Sequence, residues 1–126
     1  MGPAGRVAAR SLTTVLPDDE LPAGFLYPPL FLRMLENELI ELQPWQVLQG
    51  EALVWRHRGL RTRYPERVLV PFARRCDNDD VACWEGRGDR VVVVHDFASP
   101  GWERREELES FADWLRSALD DFIDWE

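Results

Sequence analysis

Hydrophobic residues recur at two different periods along this chain, and the change of period divides it. Between residues 68 and 96 they fall in short blocks: "VLVPFA" (68–73), "DVACWE" (80–85) and "RVVVVHD" (90–96). Such blocks, rich in β-branched side chains, predict strands. "GRGD" (86–89) separates the last two, a glycine-containing loop of the length that closes a β-hairpin. Four consecutive valines leave no polar face, so that strand is expected to be covered on both sides. Pro71 has no N–H to give to a ladder and predicts a bulge or an edge in its own strand.

From residue 111 the period becomes helical. Phe111, Trp114, Leu115, Ala118, Leu119 and Phe122 follow i, i+3, i+4, i+7, i+8, i+11. Ser110 stands at the N-cap, and Asp113 three residues later completes a box-like start near the positive end of the dipole. Asp113, Asp120 and Asp124 fall on the opposite face, with Arg116 within reach of the first two. This pattern predicts an amphipathic helix docked on the sheet.

The first half is less regular. "LYPPLFLRMLENE" reads as a short helix entered through Pro28 and Pro29, with Leu30, Phe31 and Met34 on its apolar face. "ELIELQPW" fits a strand or an extended link. "QVLQGEALVWRHRGLRTRY" places Leu48, Ala52, Trp55, Gly59 and Leu60 at helical spacing, and Pro65 closes it. Residues 1–22 show no period and are read as a loosely ordered segment ahead of one domain, 23–126. The expected fold class is α+β: a single mostly antiparallel sheet with flanking helices and a C-terminal amphipathic helix.

Length agrees with one domain, since 126 residues bury roughly two-thirds of the extended chain's surface. No stretch approaches the ~20 apolar residues that span a bilayer. The start lacks the apolar core of a secretory signal, and Arg6 stands where a myristoylation motif wants Ser or Thr. Two cysteines fit a reducing compartment better than a disulfide framework. A cytoplasmic protein is expected. All fifteen basic residues are Arg, which reads as codon bias in a GC-rich bacterial genome.

Net charge changes the functional picture. At −8 the chain is a poor non-specific ligand for nucleic acid. The charge is also uneven: residues 102–126 hold nine acids and three arginines, while 54–67 hold five arginines and one acid. Part of this is expected to cancel within the fold, and the acids left over favour fast capture of a basic partner.

The candidate chemistry is sparse. "DNDD" (77–80) fails the EF-hand pattern, because Val81 and Ala82 stand where a ligand and a glycine belong. It reads as a turn between strands, where Asp and Asn cap their own backbone. A metal-dependent hydrolase centred on Asp77, Asp79, Asp80 and His95 is a third reading, without a phosphate cradle to accompany it. His57, Cys76, Cys83 and His95 show none of the paired spacings of a structural zinc site. Cys83 lies mid-strand and reads as an inert buried thiol. No nucleophile elbow or P-loop is present, and no enzymatic activity is expected. The arginines of "RHRGLRTRYPER" read as a solvated helix face with internal ion pairs. Trp102 either plugs the edge of the core or anchors a partner.

The succession "YPERVLVPFARRCDNDDVACWEG", "VVVVHDFASPGWE" and "SFADWLRSALDDFI" resembles the SUKH superfamily, the Smi/Knr-type group. The likeness covers roughly residues 25–125 and is strongest from 64 to 119; the arginine-rich segment 54–67 and the start lie outside its pattern. Many bacterial members are immunity proteins that bind and inhibit a cognate polymorphic or contact-dependent toxin, often a nuclease. Fungal relatives regulate through protein contacts. The resemblance implies one sheet flanked by helices, no catalytic apparatus and no cofactor, and it carries over no binding residue.

The leading expectation is therefore an immunity-type protein that occludes a basic toxin. A regulatory or scaffolding module binding a host protein is the alternative. On charge and expected exposure, the candidate contacts are Asp77, Asp79, Asp80, Trp102, Asp113, Asp120 and Asp124, with no metal, cofactor, nucleic acid or membrane involved.

Overall fold

Strands of β-branched residues with no polar face need cover on two sides, and the fold supplies it. A computed structural model describes residues 15–86 and 88–125. Its six strands are β1 (Glu41–Leu42), β2 (Trp45–Val47), β3 (Leu69–Arg75), β4 (Asp80–Glu85), β5 (Val91–His95) and β6 (Arg104–Leu108). They form one sheet in chain order, with every neighbouring pair antiparallel. Helix α1 (Pro29–Glu36) precedes β1, α2 (Gly50–Arg63) joins β2 to β3, and α3 (Phe111–Asp124) follows β6. The α+β class and the terminal helix agree with the sequence.

The β4–β5 pairing sets Trp84 opposite Val91 and Ala82 opposite Val93, while Cys83 and Val81 oppose Val92 and Val94 on the other face. All four valines are buried, as their continuous run predicts. Pro71 lies in an interior strand, where the β3–β4 register shifts between Pro71 and Ala73. The bulge reading of that proline holds and the edge reading does not.

On one face Trp84 is the hub. Its ring centroid lies 4.2 Å from that of Phe72, 4.9 Å from Phe31 of α1 and 5.7 Å from Phe111 of α3. Leu115 is partly buried beside this core, but Leu119 and Phe122 of the same stripe are exposed, because α3 outruns the surface it packs on.

Helix α2 covers the other face in a way its sequence does not announce. Its buried residues are Leu53, Arg56, His57 and Leu60, whereas Ala52 is exposed and Trp55 is 61 % exposed. The predicted stripe through Ala52, Trp55 and Gly59 is rotated from the observed one. The cause is Asp96, fully buried at the end of β5, which takes a 2.7 Å hydrogen bond from Arg56 Nη1 and two more from Arg63. A charge placed there draws two arginines inward and turns the helix with them.

Two further differences matter. Part of the segment read as loose, residues 15–22, packs against the rest of the fold. Leu16 is buried, and Glu20 in the 3-10 turn Asp18–Glu20 pairs with Arg58. The rest of the expected loose segment, residues 1–14, lies outside the described residues. Strand β6 was not predicted, because "RREEL" has no apolar alternation; its charges suit an unpaired sheet edge. Among the described residues no helix is long and apolar enough to cross a membrane.

Candidate functional site

The β3–β4 turn and the β5–β6 connection lie side by side at one end of the sheet. Asp96 N–H donates to the Asp79 carbonyl at 2.9 Å, tying the two together. "DNDD" is a turn with an Asx bond: Asn78 Oδ1 accepts from Asp80 N–H at 2.8 Å. Helix α3 ends beside it. Arg75 at the end of β3 donates to Asp77 and to Asp121, and Trp45 Nε1 donates to the same Asp121 carboxylate at 3.1 Å.

Six of the seven candidate contacts therefore share one end of the molecule. Asp77, Asp79 and Trp102 lie on the two connections, Asp80 opens β4, and Asp120 and Asp124 lie on the last turns of α3. From the β6 edge to the β3 position of Arg75 is three strand spacings, roughly 14 Å. Asp113 is the exception. It sits in the first turn of α3, which is held at the opposite end of the sheet where Phe111 N–H donates to Asp89 Oδ1 at 3.0 Å.

The five acids among them differ in how much of their charge is free. Arg75 holds the Asp77 carboxyl below its usual range, chiefly through the side-chain hydrogen bond between them. Asp80 accepts from Arg105 and lies 2.9 Å from His95 Nδ1, its partner across β4–β5. The side chains of Asp79, Asp120 and Asp124 have no partner among the described residues. Of the described acids at 102–125, only Glu103 pairs with the arginine-rich segment, through Arg67. Asp121 pairs with Arg75, and Asp113 and Glu107 pair with Arg116 and Arg104 on their own elements.

Aromatic side chains stand among these acids. Trp102 is 82 % exposed, so it is not a core plug. Phe97 is 55 % exposed and adopts φ +70°, a left-handed conformation that costs a non-glycine residue roughly 1–2 kcal/mol. Two contacts hold it there: its N–H donates to Asp96 Oδ1 at 2.8 Å, and the Arg63 guanidinium lies 4.1 Å from its ring centroid. Phe122, Ile123 and Trp125 are exposed at the end of α3. Sequence reasoning passed over Phe97, Ile123 and Trp125. The exposure of the last two depends on where the sheet ends beneath α3, which the sequence alone does not mark.

Neither metal reading finds a converging ligand set. No group of three or more His, Cys, Asp or Glu that could hold a metal ion occurs among the described residues. Cys76 is exposed in the turn, whereas Cys83 is buried mid-strand with its thiol pushed well up by burial. His57 is on the buried face of α2 and His95 at the end of β5.

The chain matches no protein-family model, no curated protein and no solved structure. The functional reading therefore rests on the geometry of this end of the sheet and on the resemblance carried by the sequence.

Proposed function

We propose that this chain is a protein-binding module of the immunity type, which neutralises a cognate toxin by covering its working surface. The observation that carries the reading is the meeting, at one end of the sheet, of unpaired carboxylates (Asp79, Asp120, Asp124) with exposed aromatics (Trp102, Phe97). Interfaces draw most of their affinity from a few large side chains, with aromatics prominent, while charge sets encounter rate and partner choice. The partner is a protein with a basic surface, such as a nuclease whose cleft otherwise takes phosphates. The chain acts by occlusion, without catalysis or a cofactor of its own.

The SUKH resemblance supports the same reading, and the size of the surface is adequate. A standard interface uses about 800 Å² per partner, a patch roughly 30 Å across. The two turns and the end of α3 fall within it.

The test is co-expression with the product of the adjacent reading frame, counting survivors against that product alone. Rescue supports immunity. A harmless neighbour, or one that kills regardless, removes that pairing and leaves the regulatory or scaffolding alternative.

A further inference from the structure

His57 is buried to 5 % exposure, and neither ring nitrogen makes a well-aligned hydrogen bond among the described residues, although the Glu20 and Leu69 carbonyls lie close by. Its nearest charged neighbour is Glu20, with Oε1 3.9 Å from His57 Nε2. Burial pushes the imidazole's pKa down, and the Glu20 carboxylate and the Glu20 and Leu69 carbonyls only partly oppose this. The ring is thus held neutral, with one N–H to donate and one nitrogen to accept. Buried polar groups without well-aligned partners are uncommon in native structures.

The ring borders a cavity of about 360 Å³ between the 15–22 segment and the seam from α2 to β3, within the size range of small-molecule sites. Its two walls carry opposite charge. Asp19 and Glu20 stand on one side, and Arg61 on the other acts electrostatically on both Glu20 and His57. Asp19 and Arg61 have no hydrogen-bonding partner among the described residues, while Glu20 shares its carboxylate with Arg58. Leu21 and Leu69 give the cavity an apolar wall.

From this arrangement we infer that the cavity is a binding site for a small zwitterion with an aliphatic body, a free α-amino acid of the leucine type. The ammonium group faces Asp19 and Glu20, the carboxylate faces Arg61, and the imidazole of His57 gives the guest a neutral hydrogen-bonding partner. A simple anion would meet Glu20, and a simple cation would meet Arg61. Only a ligand bearing both charges meets an opposite charge on each wall. The inference is independent of the protein-contact surface, which lies at the end of the sheet around Asp79.

The test is ring-resonance NMR on the full chain labelled with ¹³C-histidine, using His95→Gln to leave the His57 signal alone. L-leucine, 4-methylpentanoic acid (no ammonium) and isopentylamine (no carboxylate) are titrated separately. Leucine should shift the His57 signal saturably at millimolar concentration, with each half-ligand at least about tenfold weaker, the loss expected for one charged contact. Asp19→Asn and Arg61→Gln, both at exposed positions, should each weaken leucine by a similar factor. The inference is overturned if leucine causes no saturable shift, if either half-ligand binds as well as leucine, or if both variants bind leucine unchanged.

Discussion

Arg63 grips Asp96 with a two-pronged fork, Nε to Oδ1 and Nη2 to Oδ2, each at 2.7 Å. Arg56 adds a third bond at 2.7 Å from the preceding turns of α2, and Asp96 itself has no exposed surface. This knot fixes the helix to the sheet and also sets Phe97, whose N–H shares Oδ1. Replacing Asp96 by Asn should destabilise the fold by roughly 3–5 kcal/mol, the usual cost of leaving a buried partner charge unpaired. Urea denaturation of the two proteins checks this.

The same carboxylate gives stability a dependence on acid. Burial raises its pKa, but the combined hydrogen bonds of Arg63, Arg56 and the Phe97 N–H outweigh that and leave it lowered. A lowered carboxylate stabilises the fold fully above its unfolded pKa, about 4, and loses that contribution as pH falls through the folded value. The stability difference between wild type and Asp96→Asn should therefore be constant near neutrality and shrink in acid below about pH 4. Denaturation midpoints across that window are the measurement.

Trp102 and Trp84 should separate binding from folding. Trp102→Ala removes an exposed side chain and should change stability by no more than about 0.5 kcal/mol, while weakening partner binding by about 2 kcal/mol or more. Trp84→Ala empties the hub of the aromatic core and should cost about 3–5 kcal/mol. Thermal melts and a binding titration distinguish the two.

The two thiols should differ in reactivity. Cys76 is exposed and should react at once with a disulfide reagent; Cys83 is fully buried with a raised pKa and should react only on unfolding. One equivalent released before denaturation and two after it is the expected count.

The elements that could be read from sequence are those whose signals are local. The β4–β5 hairpin and the Ser110 cap, whose Oγ accepts from Asp113 N–H at 3.1 Å, depend on residues close in the chain. The buried face of α2 was not legible, because the charge that turns Arg56 inward lies 40 residues away. Likewise, α3 carries a continuous apolar stripe, yet only the position of the sheet's end decides that Phe122 meets solvent. The acids of the candidate site were visible one by one. Their gathering at one end required the Arg75 bridge between Asp77 and Asp121.

Asp113 provides the internal control for the central claim, since it is an exposed acid of the same helix at the opposite end of the sheet. The most direct measurement is the dissociation constant for the adjacent-frame product, compared between a triple Asp79→Lys, Asp120→Lys, Asp124→Lys variant and an Asp113→Lys variant. The triple variant should bind at least about a hundredfold more weakly, chiefly through slower association at low salt, while Asp113→Lys stays near wild type. Equal binding by the triple variant, or a loss confined to Asp113→Lys, would contradict the assignment of this surface.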